Sequence, residues 1–247
     1  EIKYINSCQY AYQNKKSAEL LLFDFCQSVF CNLNSSEHVL VLFIDFSKAF
    51  DIIDHNLLLA SLERIGIGGK ILTLLSSYLE REFCVKLWDT QGTFARATGV
   101  PQGSVLGPLL FVIFVNPIYA ALQKLGLRVY AYADDLAIVS SHKNIKEAKV
   151  QLQRGFETLQ KMAHDMCLKI NISKTKLMHI HSPHLKVESD PFIISHSEHC
   201  LHRGLVNCNC LLRIELVTEY KYLGIIIDNR FKFDVHVTAL NAKLRSL

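Results

Sequence analysis

Residues 129–140 read VYAYADDLAIVS, two short apolar stretches joined by a pair of adjacent aspartates. Both stretches alternate in the manner of half-buried β-strands, and the aspartates fall where a hairpin would turn. An acidic pair in a β-turn commonly has no functional role, because solvent-exposed aspartates favour turn conformations. Here, however, Asp134 and Asp135 lie between two apolar strands, so their position at the margin of a hydrophobic core needs a chemical explanation.

Another strand is predicted for residues 38–45, HVLVLFID, because a nearly continuous apolar run is typical of a strand that is covered on both faces. It ends at Asp45. From residue 38 to residue 180, the predicted elements follow the order strand, helices, strand, strand, helix, strand. This is the order of a ferredoxin-like antiparallel sheet with helices on one face, which predicts an α+β protein.

The end of the first strand and the acidic bend are expected to meet in this sheet, which would bring Asp45, Asp134 and Asp135 together. Like charges a few ångströms apart repel by about 4 kcal/mol per pair at an effective dielectric constant near 20. A divalent cation removes this repulsion, and Mg²⁺ typically takes one or two carboxylates together with substrate phosphates. Two such ions can clamp the attacking and leaving oxygens of a phosphoryl transfer. The three aspartates are therefore candidate metal ligands.

Composition sets broad limits on the class of protein. The 247 residues are 50% hydrophobic, which is enough for a core without disulfides or a structural metal. Lys and Arg outnumber Asp and Glu by 27 to 23, so a polyanionic partner is permitted without being required. Eight cysteines without a secretory signal predict reduced thiols in an intracellular protein, in the nucleus or cytoplasm. Because the chain begins at Glu1, we expect a fragment of a longer protein.

Two segments allow other interpretations. Residues 105–122 nearly reach the length of a membrane span, but internal proline and asparagine favour a buried core helix, and we expect no membrane partner. Residues 182–219 are rich in His and Cys, yet their Cys-x-His and Cys-x-Cys spacings lack the gap of common structural zinc sites. A β-hairpin insertion is preferred there to a zinc site formed by Cys200, His202, Cys208 and Cys210.

Five ordered motifs resemble those of reverse transcriptases of non-LTR (LINE-type) retrotransposons. They are VLFIDFSKAFDIIDH, GVPQGSVLGPLLF, YADD, LKINISKTKLM and YKYLGIIID, and the likeness runs from about Gln9 to the end of the chain. The resemblance implies an RNA-directed DNA polymerase with a right-hand architecture. Its implied parts are partial fingers (1–37), a palm (38–181) with a fingers insertion (about 56–98), a hairpin insertion with the primer-grip region (182–230), and the start of a thumb (231–247).

The resemblance also implies roles for individual residues. The catalytic, metal-binding aspartates of the palm match Asp45, Asp134 and Asp135. They would hold two Mg²⁺ ions, with Mn²⁺ as a possible substitute, while a primer 3′-hydroxyl attacks the α-phosphate of a dNTP. The nucleotide-binding positions are Phe50, which matches the bulky residue that crowds a ribose 2′-hydroxyl, together with Gln102, Gly103, Lys16 and Lys174. The primer-grip positions are Tyr222, Leu223 and Gly224.

Several of these positions have ordinary alternatives. Phe50 and Tyr222 fit the pattern of core aromatics, and Lys174 fits that of a solvated lysine. The stretch from Gln9 also departs from the family, because Gln13 stands where an arginine is usual, and glutamine lacks the paired planar donors that clamp a triphosphate. The alternative function is thus a decayed copy that folds and binds nucleic acid without synthesis. Expected partners are an RNA template, a DNA primer, dNTPs and the rest of a polyprotein, with or without an endonuclease domain.

Overall fold

The computed structural model describes residues 4–80, 82–83, 86–87, 90–91, 95–96, 98–101, 103–185, 192–196 and 211–245. The helices of this part of the chain are α1 (Ala18–Asn34), α2 (His55–Arg64), α3 (Gly69–Leu79), α4 (Leu106–Lys124), α5 (Ile145–Asp165) and α6 (Asp234–Arg245). The strands are β1 (His38–Ile44), β2 (Glu82–Phe83), β3 (Lys86–Leu87), β4 (Thr90–Gln91), β5 (Ala95–Arg96), β6 (Arg128–Tyr132), β7 (Asp135–His142), β8 (Lys176–Ile180), β9 (Ile194–His196), β10 (Leu211–Arg213), β11 (Glu215–Val217), β12 (Glu219–Tyr222) and β13 (Ile225–Asp228).

The centre of the fold is a five-stranded sheet in the order β11-β8-β1-β7-β6. β1 runs antiparallel to both β7 and β8, β6 and β7 form a hairpin, and β11 adds to the edge parallel to β8. Without β11, the four remaining strands have the spatial order of a ferredoxin-like sheet, and α4 and α5 lie between them in the sequence. The predicted α+β class, built on a ferredoxin-like antiparallel sheet, is confirmed.

The alternating side chains of β1 divide the core into two halves. Leu40, Leu42 and Ile44 belong to the cluster that contains α4 and α5. Val39, Val41 and Phe43 belong to the other cluster, with α1 and the β12–β13 hairpin. All seven residues of β1 are buried, as the continuous apolar run predicts. The two connecting helices occupy one face of the sheet as expected, while α1 and the C-terminal hairpin cover the opposite face.

Helix α4 accounts for the most hydrophobic stretch of the chain. Within the described residues it is the one helix that is long and apolar enough to cross a membrane, and 61% of its most apolar window is buried. Leu110, Phe114 and Leu122 all lie in the core between the sheet and the helices. Packing in the protein interior therefore explains its hydropathy, as expected for a core helix.

Helix starts follow their capping residues. The side chain of Asp54 accepts from the Leu57 N–H at the start of α2, and Asn144 caps α5 in the same way. Two boundaries differ from the sequence predictions, which are a helix start at Ser104 after GVPQG and a β-hairpin turn at Gln91 and Gly92. α4 begins at Leu106 rather than at Ser104, whose Oγ instead accepts from the Gly107 N–H over 3.0 Å. The hairpin predicted to turn at Gln91 and Gly92 reverses earlier, because Leu87 already pairs with Thr90.

The insertion after β8 is held against α5. β9 and β10 pair antiparallel, in keeping with the predicted hairpin. The amide of Gln153 donates to the Ile194 carbonyl and accepts from the Ile194 N–H, and the Gln160 amide donates to Ser195 Oγ over 2.9 Å. The cysteines and histidine of the zinc alternative, at positions 200, 202, 208 and 210, lie outside the described residues.

A buried histidine pair lies at the end of the sheet opposite Asp45. His38 Nδ1 and His179 Nε2 are 3.0 Å apart, and the two residues are 5% and 6% exposed. Burial, with smaller contributions from the neighbouring histidines and from Arg230, lowers the pKa of His179 from 6.5 to about 3. His179 is therefore neutral in the folded protein at every pH above about 3.

This pair predicts acid sensitivity. Unfolded His179 takes up a proton near pH 6.5, whereas the folded residue stays neutral, so the unfolded state binds more protons and stability falls as the pH decreases. We expect His179 to account for a loss of about 2 kcal/mol in the free energy of unfolding between pH 8 and pH 5. Urea unfolding of His179→Gln at both pH values should lack this loss, whereas the exposed His164→Gln should retain it. An unchanged pH dependence in His179→Gln would contradict the assignment.

Candidate active site

Strand pairing brings three carboxylates to one end of the sheet. Ile44, the last residue of β1, pairs with Leu136 in β7, so Asp45 continues the strand beside Asp135. Across the β6–β7 hairpin, Tyr132 pairs with Asp135, which leaves Ala133 and Asp134 as the two-residue bend. The convergence expected from the sequence is thus present in the register of the sheet.

The three carboxylates interact electrostatically. The pKa of Asp134 is raised mainly by burial and also by the charge of Asp45, although its own backbone N–H lowers it. The pKa of Asp135 is raised by burial, then by Asp134, then by Asp45. Because each group lies within reach of the charges of the others, the cluster favours a bound cation.

The donor set fits a cation whose coordination is completed by substrate. Among the residues that the structure describes, no three His, Cys, Asp or Glu side chains form a ready metal-binding group. Mg²⁺ does not require one, because it commonly binds through one or two carboxylates with waters and phosphates filling the remaining positions. The Asp45 side chain is 33% exposed, which leaves its hard oxygen donors accessible. The arrangement suits an open site rather than a closed protein cage.

The loop between α5 and β8 is hydrogen-bonded to the end of β1. Phe46 forms a β-bridge with Ile170, and the Asn171 N–H donates to the Asp45 carbonyl over 2.8 Å. This pairing places Lys174 Nζ 3.9 Å from Asp45 Oδ2, while the lysine side chain stays 68% exposed. A single exposed lysine at that distance contributes little binding energy and leaves two of the carboxylates unneutralised. Lys174 thus lies beside the predicted metal site, and its role at a triphosphate stays a prediction.

The glycine-rich loop before α4 packs on the segment that contains Phe50. The Val100 N–H donates to the Phe50 carbonyl over 2.8 Å, and His55 Nε2 lies 2.7 Å from the Gly99 carbonyl oxygen. The half-buried Phe50 ring contacts Phe111 at a centroid distance of 4.5 Å. The structure thus brings two predicted nucleotide-binding segments together. Gly103 is exposed, and Gln102 lies outside the described residues.

The primer-grip motif forms the β12–β13 hairpin, whose turn consists of Leu223 and Gly224, both with positive φ. Tyr222 is 3% exposed, and its hydroxyl donates to the Tyr130 carbonyl over 3.2 Å. Its ring packs beside Phe43 in the core. Of the three predicted primer-grip residues, only the two in the turn are accessible to solvent, and Tyr222 is a core residue beneath them. The primer-grip role stays a prediction.

The model of the family "Reverse transcriptase (RNA-dependent DNA polymerase)" matches residues 2–227. The chain belongs to this family.

Relatives of this reverse transcriptase domain include polymerases from mobile elements. The RNA-directed DNA polymerase from mobile element jockey of Drosophila melanogaster is 27% identical over 220 residues, which cover 87% of this chain and 22% of the relative. The probable RNA-directed DNA polymerase from transposon BS of the same organism is 29% identical over 214 residues, 83% of this chain and 22% of the relative. The resemblance to non-LTR reverse transcriptases is confirmed, and the chain spans about a fifth of the length of these relatives.

Solved structures share the fold at low sequence identity. Apo telomerase from Candida tropicalis, truncated from the C-terminal domain, superposes with a TM-score of 0.60 at 14% identity, over 92% of this chain and 40% of that chain. Telomerase from Candida albicans in complex with the TWJ fragment of telomeric RNA gives a TM-score of 0.52 at 15% identity, over 76% of this chain and 34% of that chain. These likenesses support the palm architecture of the reverse transcriptase domain.

Lys16 of this reverse transcriptase domain has contacts within its own segment. Its ammonium group donates to the carbonyls of Ser7 and Gln9 and lies 4.8 Å from the centroid of the Tyr10 ring. A nucleotide role for Lys16 stays a prediction.

Sequence reasoning missed two tyrosines beside the carboxylates. Tyr220 stacks on Phe43 at 4.2 Å, and its pKa is raised by burial and then by the charges of Asp135 and Asp45. Tyr12 is 57% exposed, and burial and the charge of Asp134 raise its pKa. Tyr220 stands two residues before Tyr222 in β12, so the period-2 rule for strands was a signal that places both on one face.

Proposed function

We propose that this domain is the catalytic palm of an RNA-directed DNA polymerase that adds dNTPs to the 3′-hydroxyl of a primer on an RNA template. The main support is the convergence of Asp45 with the Asp134–Asp135 bend in a chain of the reverse transcriptase family. Because the chain spans 22% of the length of the jockey and BS relatives, polymerase activity is proposed for the longer protein that contains it. A relative from the R1 element of Nasonia vitripennis is named a Pol polyprotein, which supports the rest of a polyprotein as a further partner. The nucleus or cytoplasm is the proposed location.

The family generally uses divalent metal ions, and we assign two Mg²⁺ ions, or Mn²⁺ in their place, to Asp45, Asp134 and Asp135. Bound ions supply Lewis-acid stabilisation of the phosphoryl oxygens and lower the pKa of the attacking hydroxyl. All three carboxylates provide hard oxygen donors. Burial and repulsion raise the pKa values of Asp134 and Asp135, so a cation that offsets the repulsion stabilises their ionised forms.

Other side chains have positioning roles in this proposal. Lys174, next to Asp45, offers a positive charge to the triphosphate of the incoming dNTP. The bulk of the half-buried Phe50, whose ring packs against Phe111, excludes a ribose 2′-hydroxyl. The turn at Leu223 and Gly224 supports the primer end. Each role can be tested by substituting the residue and measuring primer extension.

A second candidate function is nucleic-acid binding without synthesis. The observation in its favour is Gln13, whose side-chain amide donates to the Gln9 carbonyl within its own segment. An arginine in that position would offer paired, charged donors to a triphosphate. If affinity for dNTPs is lost in this way, the domain still folds and can still bind phosphodiester backbones.

One experiment separates the two candidates. The longer parent protein is incubated with a primed RNA template, dNTPs and Mg²⁺, with and without excess EDTA, and filter binding of the same duplex is measured in parallel. We expect primer extension that disappears on chelation, with binding that weakens as salt increases. Binding with no incorporation in either Mg²⁺ or Mn²⁺ would instead support the decayed copy.

A further inference from the structure

Gln9 is completely buried, with 0% exposure, although it lies in a loop before α1. Its side-chain oxygen accepts hydrogen bonds from the Ala11 N–H over 2.9 Å and from the Ala133 N–H over 3.1 Å. Its side-chain nitrogen donates to the Ala133 carbonyl over 3.3 Å and to the Tyr119 hydroxyl over 3.1 Å. The amide therefore satisfies both backbone groups of one residue, as a peptide of a neighbouring strand would.

Ala133 is the residue immediately before Asp134 in the bend. Its φ is +56°, in the left-handed region that is unfavourable for a residue with a Cβ. Two-residue hairpin bends of this kind usually carry glycine, asparagine or aspartate at such positions. Alanine brings no conformational preference for the bend, so the bend needs support from outside the hairpin, and the described contacts of Gln9 supply it.

The backbone around Gln9 fixes the position of its side chain. The Tyr10 N–H donates to the Ala131 carbonyl over 2.8 Å, and the Ala131 N–H donates to the Cys8 carbonyl over 2.9 Å. Gln9 thus forms a parallel β-bridge with Ala131 on the outer edge of β6. The Gln9 amide thus links the bend to the N-terminal segment and, through Tyr119, to α4. This contact is long-range, since Gln9 lies 124 residues from Ala133 in the sequence.

We propose that Gln9 is a positioning residue for the metal site: its amide holds Ala133 in the left-handed conformation, and this directs Asp134 and Asp135 toward Asp45. Gln9 contacts neither the ions nor the nucleotide. Its effect on polymerisation rests on the function proposed above, whereas its effect on the bend does not. Loss of the amide frees the bend, which spreads the carboxylates and weakens the binding of a shared cation.

The test compares Gln9→Met, which keeps the side-chain length but removes all four hydrogen bonds, with two controls. Gln160→Met makes the same chemical change at the amide that contacts Ser195. Leu152→Ala creates a cavity at a completely buried position of α5 and controls for a general loss of stability. For each protein, hydrogen exchange of the Ala133 amide is measured by NMR, and Mn²⁺ binding is measured by EPR of the free ion.

We expect Gln9→Met to speed exchange of the Ala133 amide and to weaken Mn²⁺ binding by at least about tenfold, which is the usual range for a lost outer-shell partner. Neither control should show both changes. In the parent protein, Gln9→Met should raise the Mg²⁺ concentration required for primer extension, with the KM for dNTP unchanged.

If Gln9→Met kept the Mn²⁺ affinity of the wild type and its protection of the Ala133 amide, the inference would be overturned, even if the variant were less stable. Failure of the proposed function gives a different result. If the wild-type parent neither extends primers nor binds Mn²⁺, the polymerase proposal fails, and hydrogen exchange at Ala133 still decides whether Gln9 holds the bend.

Discussion

Asp134→Asn should reduce the rate of primer extension by the parent protein by at least about 10³-fold, because a metal ligand provides several kcal/mol of transition-state stabilisation and each 1.36 kcal/mol is a factor of ten. The fold should survive. Since burial and the charge of Asp45 raise the pKa of Asp134, ionisation of this carboxyl costs more free energy in the folded protein than in the unfolded chain. The asparagine variant should therefore unfold at the same temperature as the wild type or at a higher one.

The matched control for this prediction is Glu147→Gln. It removes one negative charge from an exposed position in the first turn of α5, next to the end of the sheet that lies opposite the bend. Extension by this variant should equal that of the wild type. Single-nucleotide incorporation and thermal unfolding are measured for both variants. If Asp134→Asn retains wild-type extension, the metal assignment is wrong, and if it loses activity only together with its fold, the residue is structural.

Local patterns in the sequence predict most of the framework of the site. The apolar run of β1, the alternation around Asp134 and the caps Asp54 and Asn144 each reflect interactions within a few residues. The convergence of Asp45 with the bend also follows from element order, because a sheet of this topology places those ends together. These features need no knowledge of contacts between distant segments.

The remaining features depend on such contacts. How closely Tyr220 approaches the carboxylates is decided by how the C-terminal hairpin lies on β1, where Phe43 stacks on Tyr220. Lys16 is engaged by carbonyls of its own loop, which no spacing rule predicts. Gln9 bonds to a residue 124 positions away. A single sequence therefore identifies the candidate metal-binding carboxylates more readily than the polar side chains around them.

Gly99→Ala should be among the most destabilising single substitutions in the loop before α4. Gly99 has a φ of +68°, and a Cβ at this position would lie 2.1 Å from the Phe50 carbonyl oxygen and 2.5 Å from the Asp51 carbonyl carbon. Both contacts are with backbone, so no side-chain rotation relieves them. A left-handed alanine costs about 1–2 kcal/mol, and overpacking costs about 1–3 kcal/mol more. We expect the free energy of unfolding to fall by about 2–5 kcal/mol.

Gly103→Ala separates strain from steric clash, because Gly103 has a similar φ of +73° but no described atom within 4 Å of the position that a Cβ would take. This variant should lose only the conformational part, about 1–2 kcal/mol. Urea unfolding of both variants, with equal m-values, gives the comparison. Equal losses would mean that the loop moves away from Phe50 at little cost. A larger loss for Gly99→Ala means that the fold requires the close approach of this loop to Phe50, which holds the two predicted nucleotide-binding segments together.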